Sequence, residues 1–180
     1  MTTKSGSLRN KRGAATESAL EEHHRVAAML NLAYVVKRPT SWKPLRPVPG
    51  GMLCVPEKQS GVDYVGVLAD GRALFIEAKR HTGSSFPLDR IEPQQKEEME
   101  RVRRVSSGAV RLLVIEWFPT SQRDLQTLSL VQGLSVIVPV SWAFIERASA
   151  TLGCKSIPAS ILMEYAAPKT AKTYLQCWKE

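Results

Sequence analysis

Apolar residues along the chain follow two kinds of pattern. Helical spacing recurs over residues 13–30, where Leu20, Ala27 and Leu30 share a face and Asn31 follows as a terminator. It recurs over residues 93–106, where Pro93 opens a helix whose inward stripe is Gln95, Met99 and Val102. Short apolar runs at 32–37, 64–68, 73–78, 110–117 and 134–140 predict strands, the last two central in a sheet. Ser141 can cap a helix reaching about residue 152, and Pro158 can open a short one with Ile161 and Leu162 inward. Trp142, Phe144 and Trp178 read as core or subunit-contact residues. The expected fold is α/β, a mixed central sheet flanked by helices.

Residues 39–60 break both patterns. Pro39, Pro44, Pro47, Pro49 and Pro56 stand there with Trp42, Lys43 and Arg46 between them. Each proline removes a backbone donor, so no regular central strand or helix is expected, and the segment is expected to project. Residues 82–87 are small and polar and predict a loop.

Charges inside the strand-forming runs are the most informative departure from pattern. Asp63, Glu77 and Lys79 lie at or within apolar segments, where a charge is costly unless it is paired or binds a metal. Asp70-Gly71 predicts a tight turn that makes 64–68 and 73–78 antiparallel neighbours. A two-residue loop would pair Asp63 with Ala78. A three-residue loop with Gly71 left-handed would pair Asp63 with Glu77, so the longer loop, or a bulge near Gly66, is expected. Two adjacent carboxylates repel unless a cation lies between them, and hard oxygen donors suit Mg2+ or Mn2+. Lys79, two residues past Glu77, shares its face and can orient a water or stabilise a phosphorane oxyanion. Phosphodiester hydrolysis is the chemistry these groups fit; the bland reading is a solvated edge strand with alternating charges. Gln95, polar on an apolar stripe, needs a partner, either this site or backbone carbonyls.

Length and charge bound the picture. At 180 residues and 43 % hydrophobic content, one domain with a full core is expected. The net charge of +8 favours a polyanionic partner, and residues 1–50 hold nine Lys or Arg against three Glu. Residues 1–11 are expected to form a flexible basic arm that orders on DNA, and 12–180 the domain. Cys54, Cys154 and Cys177 are too few for a disulfide framework, and no Cys or His spacing suggests zinc. His23 and His24 are adjacent on a helix and diverge by about 100°, so they read as structural or DNA-facing. No membrane-length apolar run occurs and no signal peptide is seen, so a soluble cytoplasmic protein is expected, in a cell or a phage host.

An ordered string of short motifs resembles the PD-(D/E)xK nuclease superfamily, and within it the RecU-type Holliday junction resolvases. Arg12-Gly13 and Glu17 are followed by Lys37-Arg38-Pro39-Thr40, then Asp63 and Glu77-Ala78-Lys79. Ser85-Phe86-Pro87-Leu88, Gln95 and Lys155-Ser156-Ile157-Pro158 complete the string, which runs from about residue 12 to 168. The chain departs from the pattern twice. Gly61 stands where many relatives have a Thr ligand, and the interval from Asp63 to Glu77 is one residue longer than usual.

The resemblance implies Asp63, Glu77 and Gln95 as metal ligands (Gln95 alternatively as a water positioner), Lys79 as transition-state stabiliser and Glu17 as an acidic residue from the first helix. It also implies DNA contacts from Arg12, Lys37, Arg38, Lys43, Arg46 and Arg80, with the proline-rich segment acting as a stalk that enters the junction. The implied function is a metal-dependent endodeoxyribonuclease resolving four-way DNA, working as a homodimer because such a junction offers two symmetry-related strands. Another nuclease of the superfamily, restriction-like or cutting flaps, and a non-catalytic DNA-binding module of the same fold are the alternatives.

Overall fold

The computed structural model describes residues 4–39, 42–56, 61–130, 132–150, 153–167 and 171–176, with side chains from residue 17 onward except at Pro56. Helix α1 (Lys4–Met29) leads into β1 (Ala33–Lys37), then β2 (Trp42–Val48), β3 (Gly51–Pro56), β4 (Tyr64–Leu68), β5 (Ala73–Thr82) and β6 (Ser85–Pro87). A 3-10 turn (Leu88–Arg90) precedes α2 (Pro93–Val105) and β7 (Val110–Phe118), followed by α3 (Gln122–Thr127), β8 (Val136–Ser141) and α4 (Trp142–Ala150). Strand β9 (Ser156–Pro158), α5 (Ala159–Tyr165) and a second 3-10 turn (Tyr174–Gln176) complete the described order.

Five strands form a mixed sheet in the order β1-β4-β5-β7-β8, in which β5 and β7 are parallel and the other neighbours antiparallel. The parallel pair needs a crossover, and α2 supplies it. Strand alternation sends side chains to two cores. On one face Leu20 and Ala27 of α1 pack with Tyr64, Leu74, Ile76, Leu112 and Tyr174. On the other, Met99 of α2, Trp142 and Ile145 of α4 and Leu162 of α5 pack with Leu113, Ile115 and Val138. The mixed sheet flanked by helices agrees with the expected fold, and Trp142 is a core residue.

Boundaries differ in instructive places. Helix α1 starts at Lys4, before Gly13, so residues 4–11 have helical backbone; Asn31, with φ 53, ends it in the left-handed conformation. The proline-rich segment is not irregular: β2 and β3 pair antiparallel from Trp42↔Pro56 to Val48↔Gly51, closing over Pro49-Gly50 with Gly50 at φ 86. A two-stranded ribbon has two free edges, and the register shifts between Pro44 and Arg46, which lets the prolines sit in it. Its residues belong to neither core, and every side chain from Trp42 to Pro47 is exposed. Part of the expected loop at 82–87 is strand, because Phe86 and Ile157 are buried where β6 pairs with β9. Helix α3, capped by the Ser121 hydroxyl accepting from Asp124 N, had no sequence expectation. Thr40, Cys177 and Trp178 lie outside the described residues.

Candidate active site

The geometry begins with the length of one turn. Strands β4 and β5 pair from Tyr64↔Ile76 to Val67↔Ala73. Residues 69–71 form a three-residue loop in which Leu68 N donates to Arg72 O at 2.9 Å and Gly71 has φ 87. Only a residue without Cβ strain takes that conformation readily, and the Asp70 carboxylate secures the turn by accepting from Arg72 N at 3.0 Å. One step beyond the ladder, this register sets Asp63 opposite Glu77. The longer of the two expected loops is therefore present. No bulge occurs at Gly66; a Cβ there would lie 2.3 Å from Tyr34 O, so the glycine serves the close approach of β1.

Glu77 is wholly buried and its two oxygens have different fates. Oε1 lies 2.6 Å from Lys79 Nζ and accepts from Gln95 Nε2 at 2.6 Å. Oε2 is buried and no protein donor reaches it. The Asp63 carboxyl is within hydrogen-bonding reach of Glu77, a contact between two acids that needs a proton or a cation. Burial, then the Asp63 charge, pushes Glu77 up to about 8. Asp63 is raised as well, chiefly by burial, with Ala78 N donating to its Oδ2 at 2.9 Å in opposition.

Gln95 is oriented from its own helix. Its Oε1 accepts from Glu92 N at 2.9 Å, as half of a capping box at the start of α2, so its amide nitrogen is directed at Glu77. The stripe that made Gln95 look misplaced is thus a delivery device: its partner is the site, and it acts there as a donor to an acid.

The other predicted residues are distributed around this centre. Glu17 is half exposed, receives Lys37 Nζ at 2.6 Å and lies near enough to oppose ionisation of Asp63. Arg38 donates to Glu98 Oε1 at 2.5 Å, and Arg38 N donates to Asp63 O at 2.8 Å. Arg80 lies 3.6 Å from Glu116 and its guanidinium covers the Phe118 ring at 4.1 Å. Lys43 and Arg46 are exposed on the ribbon. The side chain of Arg12 lies outside the described residues.

Sequence reasoning missed Glu98. Its Oε2 accepts from Val62 N at 2.6 Å while Oε1 holds Arg38, so one carboxylate clamps the segment leading into Asp63. A Cβ on Gly61 would lie 1.7 Å from that Oε2, and Gly61 has φ 108. Glycine at position 61 therefore makes room for Glu98. The available signal was spacing: Glu98 follows Gln95 by three on α2 and shares its face.

The residues fit a hard divalent cation in one specific respect. Two desolvated carboxyls adjoin, one with an oxygen lacking any donor, which is the donor chemistry of Mg2+ or Mn2+. Among the described residues no third His, Cys, Asp or Glu joins them in a metal-holding group. His24 is excluded by location: it is buried on the opposite face, 2.6 Å from Tyr174 Oη, and burial lowers it to about 4.

A family model described as Recombination protein U matches residues 11–124. The chain belongs to the RecU family. The match spans Glu17, Asp63, Glu77, Lys79 and Gln95, and ends before the Lys155-Ser156-Ile157-Pro158 segment included in the motif resemblance. No curated protein matches the chain. The RecU family is a family of recombination proteins. No helix of the described residues is long and apolar enough to cross a membrane.

Proposed function

We propose that the protein is a metal-dependent endodeoxyribonuclease that resolves four-way DNA junctions, with a PD-(D/E)xK site formed by Asp63, Glu77 and Lys79. The observation that carries this reading is the juxtaposition of a wholly buried carboxyl, Glu77, and a partly buried one, Asp63, across the β4–β5 register, with an amine 2.6 Å from Glu77. Membership in the RecU family supplies the substrate class.

When bound, a divalent cation supplies a Lewis acid for the phosphoryl oxygen and lowers the pKa of a coordinated water. Asp63 and Glu77 hold it in their ionised forms. Lys79 carries its ammonium beside Glu77 and faces the scissile phosphate, where it stabilises charge on the phosphoryl oxygens. Gln95 fixes the Glu77 carboxylate by donating to Oε1. Glu98 and Arg38 hold the segment that presents Asp63. Glu17 sits at the rim on the α1 side.

The exposed β2–β3 ribbon, with Trp42, Lys43 and Arg46, is the stalk that enters the junction, and its exposed tryptophan offers a stacking surface for unpaired bases. The protein works as a homodimer, so that each protomer presents one site to one of two equivalent strands. The test is a panel of labelled four-way, flap and linear duplex DNAs with Mg2+, run on the parent and on Asp63→Ala. Selective, paired nicking of the four-way DNA by the parent alone supports the proposal. Cleavage by Asp63→Ala at the parental rate would falsify the site.

A further inference from the structure

The cations around the site differ in what holds them. Lys37, Arg38, Lys79 and Arg80 each face a carboxylate, from Glu17, Glu98, Glu77 and Glu116. Arg90 does not. Among the described residues no acid lies within ion-pair distance of it, although Asp89 is its exposed neighbour in sequence. Its Nη1 is 3.2 Å from His81 Nδ1, and its guanidinium lies over the Phe86 ring at 5.7 Å. Both partners are buried and neither carries a negative charge: Phe86 is at 0 % exposure and His81 at 9 %. His81 and Phe86 are themselves locked edge to face at 5.5 Å.

This arrangement orients a guanidinium without neutralising it. Arg90 Nη1 donates to His81 Nδ1 when the ring is uncharged, and burial, then the adjacent guanidinium, keep the ring below its ordinary pKa against a backbone hydrogen bond at Ser85. Arginine has five N–H donors in a fixed fork, and His81 takes one, so the exposed remainder can grip a phosphate. Position agrees with charge. Glu77, Lys79 and His81 alternate onto the same face of β5, so the Arg90 anchor lies about 13 Å beyond the acidic pair along the strand. Lys155 adds a second exposed cation, since its carbonyl accepts from Leu88 N at 2.9 Å and so borders the turn that carries Arg90.

We propose that Arg90, oriented by His81 and Phe86 and assisted by Lys155, binds a backbone phosphate of the DNA a few nucleotides from the scissile bond. The proposal rests on the nuclease reading for its choice of anion, and His81 is a positioning residue in it. The experiment measures binding of labelled four-way and linear DNA by the full chain in EDTA across 50–200 mM salt, with cleavage in Mg2+ assayed separately. Arg90→Ala should weaken binding by about three- to tenfold near 0.1 M salt and reduce the slope of log K against log salt by about one. His81→Leu should weaken binding less and keep the parental slope, because the charge remains while its orientation is lost. Arg90→Gln replaces Arg90→Ala if the alanine variant does not fold. Parental affinity and slope in the Arg90 variant overturn the phosphate contact, and parental affinity in His81→Leu overturns the anchor. If the slope falls as expected but the parent cleaves none of the DNAs, the contact stands and the nuclease reading fails.

Discussion

Two polar clusters meet the β4–β5 pair on opposite faces of the sheet, and they solve the problem of burial differently. Toward α1, β4 contributes Tyr64, which packs edge to face on His24 at 4.7 Å, and His24 pairs with Tyr174 at 2.6 Å. That cluster is neutral; among the described residues the Tyr64 hydroxyl and His23 Nδ1 are its buried polar atoms without a partner. Toward α2, Asp63 and Glu77 meet as two acids with Lys79 and Gln95 beside them, and Glu77 Oε2 receives no donor. The first arrangement is what packing alone produces from polar side chains. The second is less stable than a neutral substitute would be, and such frustration marks a site kept for chemistry.

The largest expected contrast between the faces is in activity. Asp63→Ala or Lys79→Met should reduce cleavage of four-way DNA at least about a hundredfold while leaving DNA binding in EDTA intact, as followed by gel assays. His24→Ala, on the other face, should instead cost about 2–4 kcal/mol of stability in urea titrations, through a cavity and the loss of its hydrogen bond with the Tyr174 hydroxyl. A loss of cleavage in His24→Ala that exceeds its loss of folded protein would break the division.

A smaller effect sharpens the same division through pH. Glu77, raised to about 8, favours the protonated folded state, so the metal-free protein loses stability as pH rises from about 4.5 through 8. His24, lowered to about 4, gives the opposite sign: its contribution is present above about 6.5 and is lost as pH falls toward 4. Thermal melts in EDTA should show the alkaline loss disappear in Glu77→Gln and the acid loss shrink in His24→Phe. An unchanged alkaline limb in Glu77→Gln would mean that the carboxyl is ionised without metal. Smaller again, Gly61→Ala should cost about 1–3 kcal/mol in the same titrations, from its backbone conformation and its collision with Glu98.

How much of this was readable before folding depended on how local the determinant was. Asp70-Gly71 and the parity of two short runs narrowed the partner of Asp63 to Ala78 or Glu77, because a hairpin register is set within a few residues, and the need of the two acids for a common face selected Glu77. The stripe of α2 correctly turned Gln95 and Met99 inward for the same reason. The ribbon at 42–56 was not legible: prolines forbid a central strand, and nothing local says that a strand pair will stand apart from the sheet. Glu98 was hidden because its partners, Arg38 and the Val62 amide, come from distant segments. Arg90 was hidden similarly, since its isolation from acids is a property of space and not of sequence.

The three-residue turn at 69–71 has a consequence for how this site can be lost. Trimming it by a single residue would leave every acid and the lysine in place, yet send alternate side chains of one strand to the far layer. A census of point substitutions would therefore misjudge the vulnerability of this site. Insertions and deletions in a solvent-facing turn that lends no side chain to the site are the changes most able to silence it.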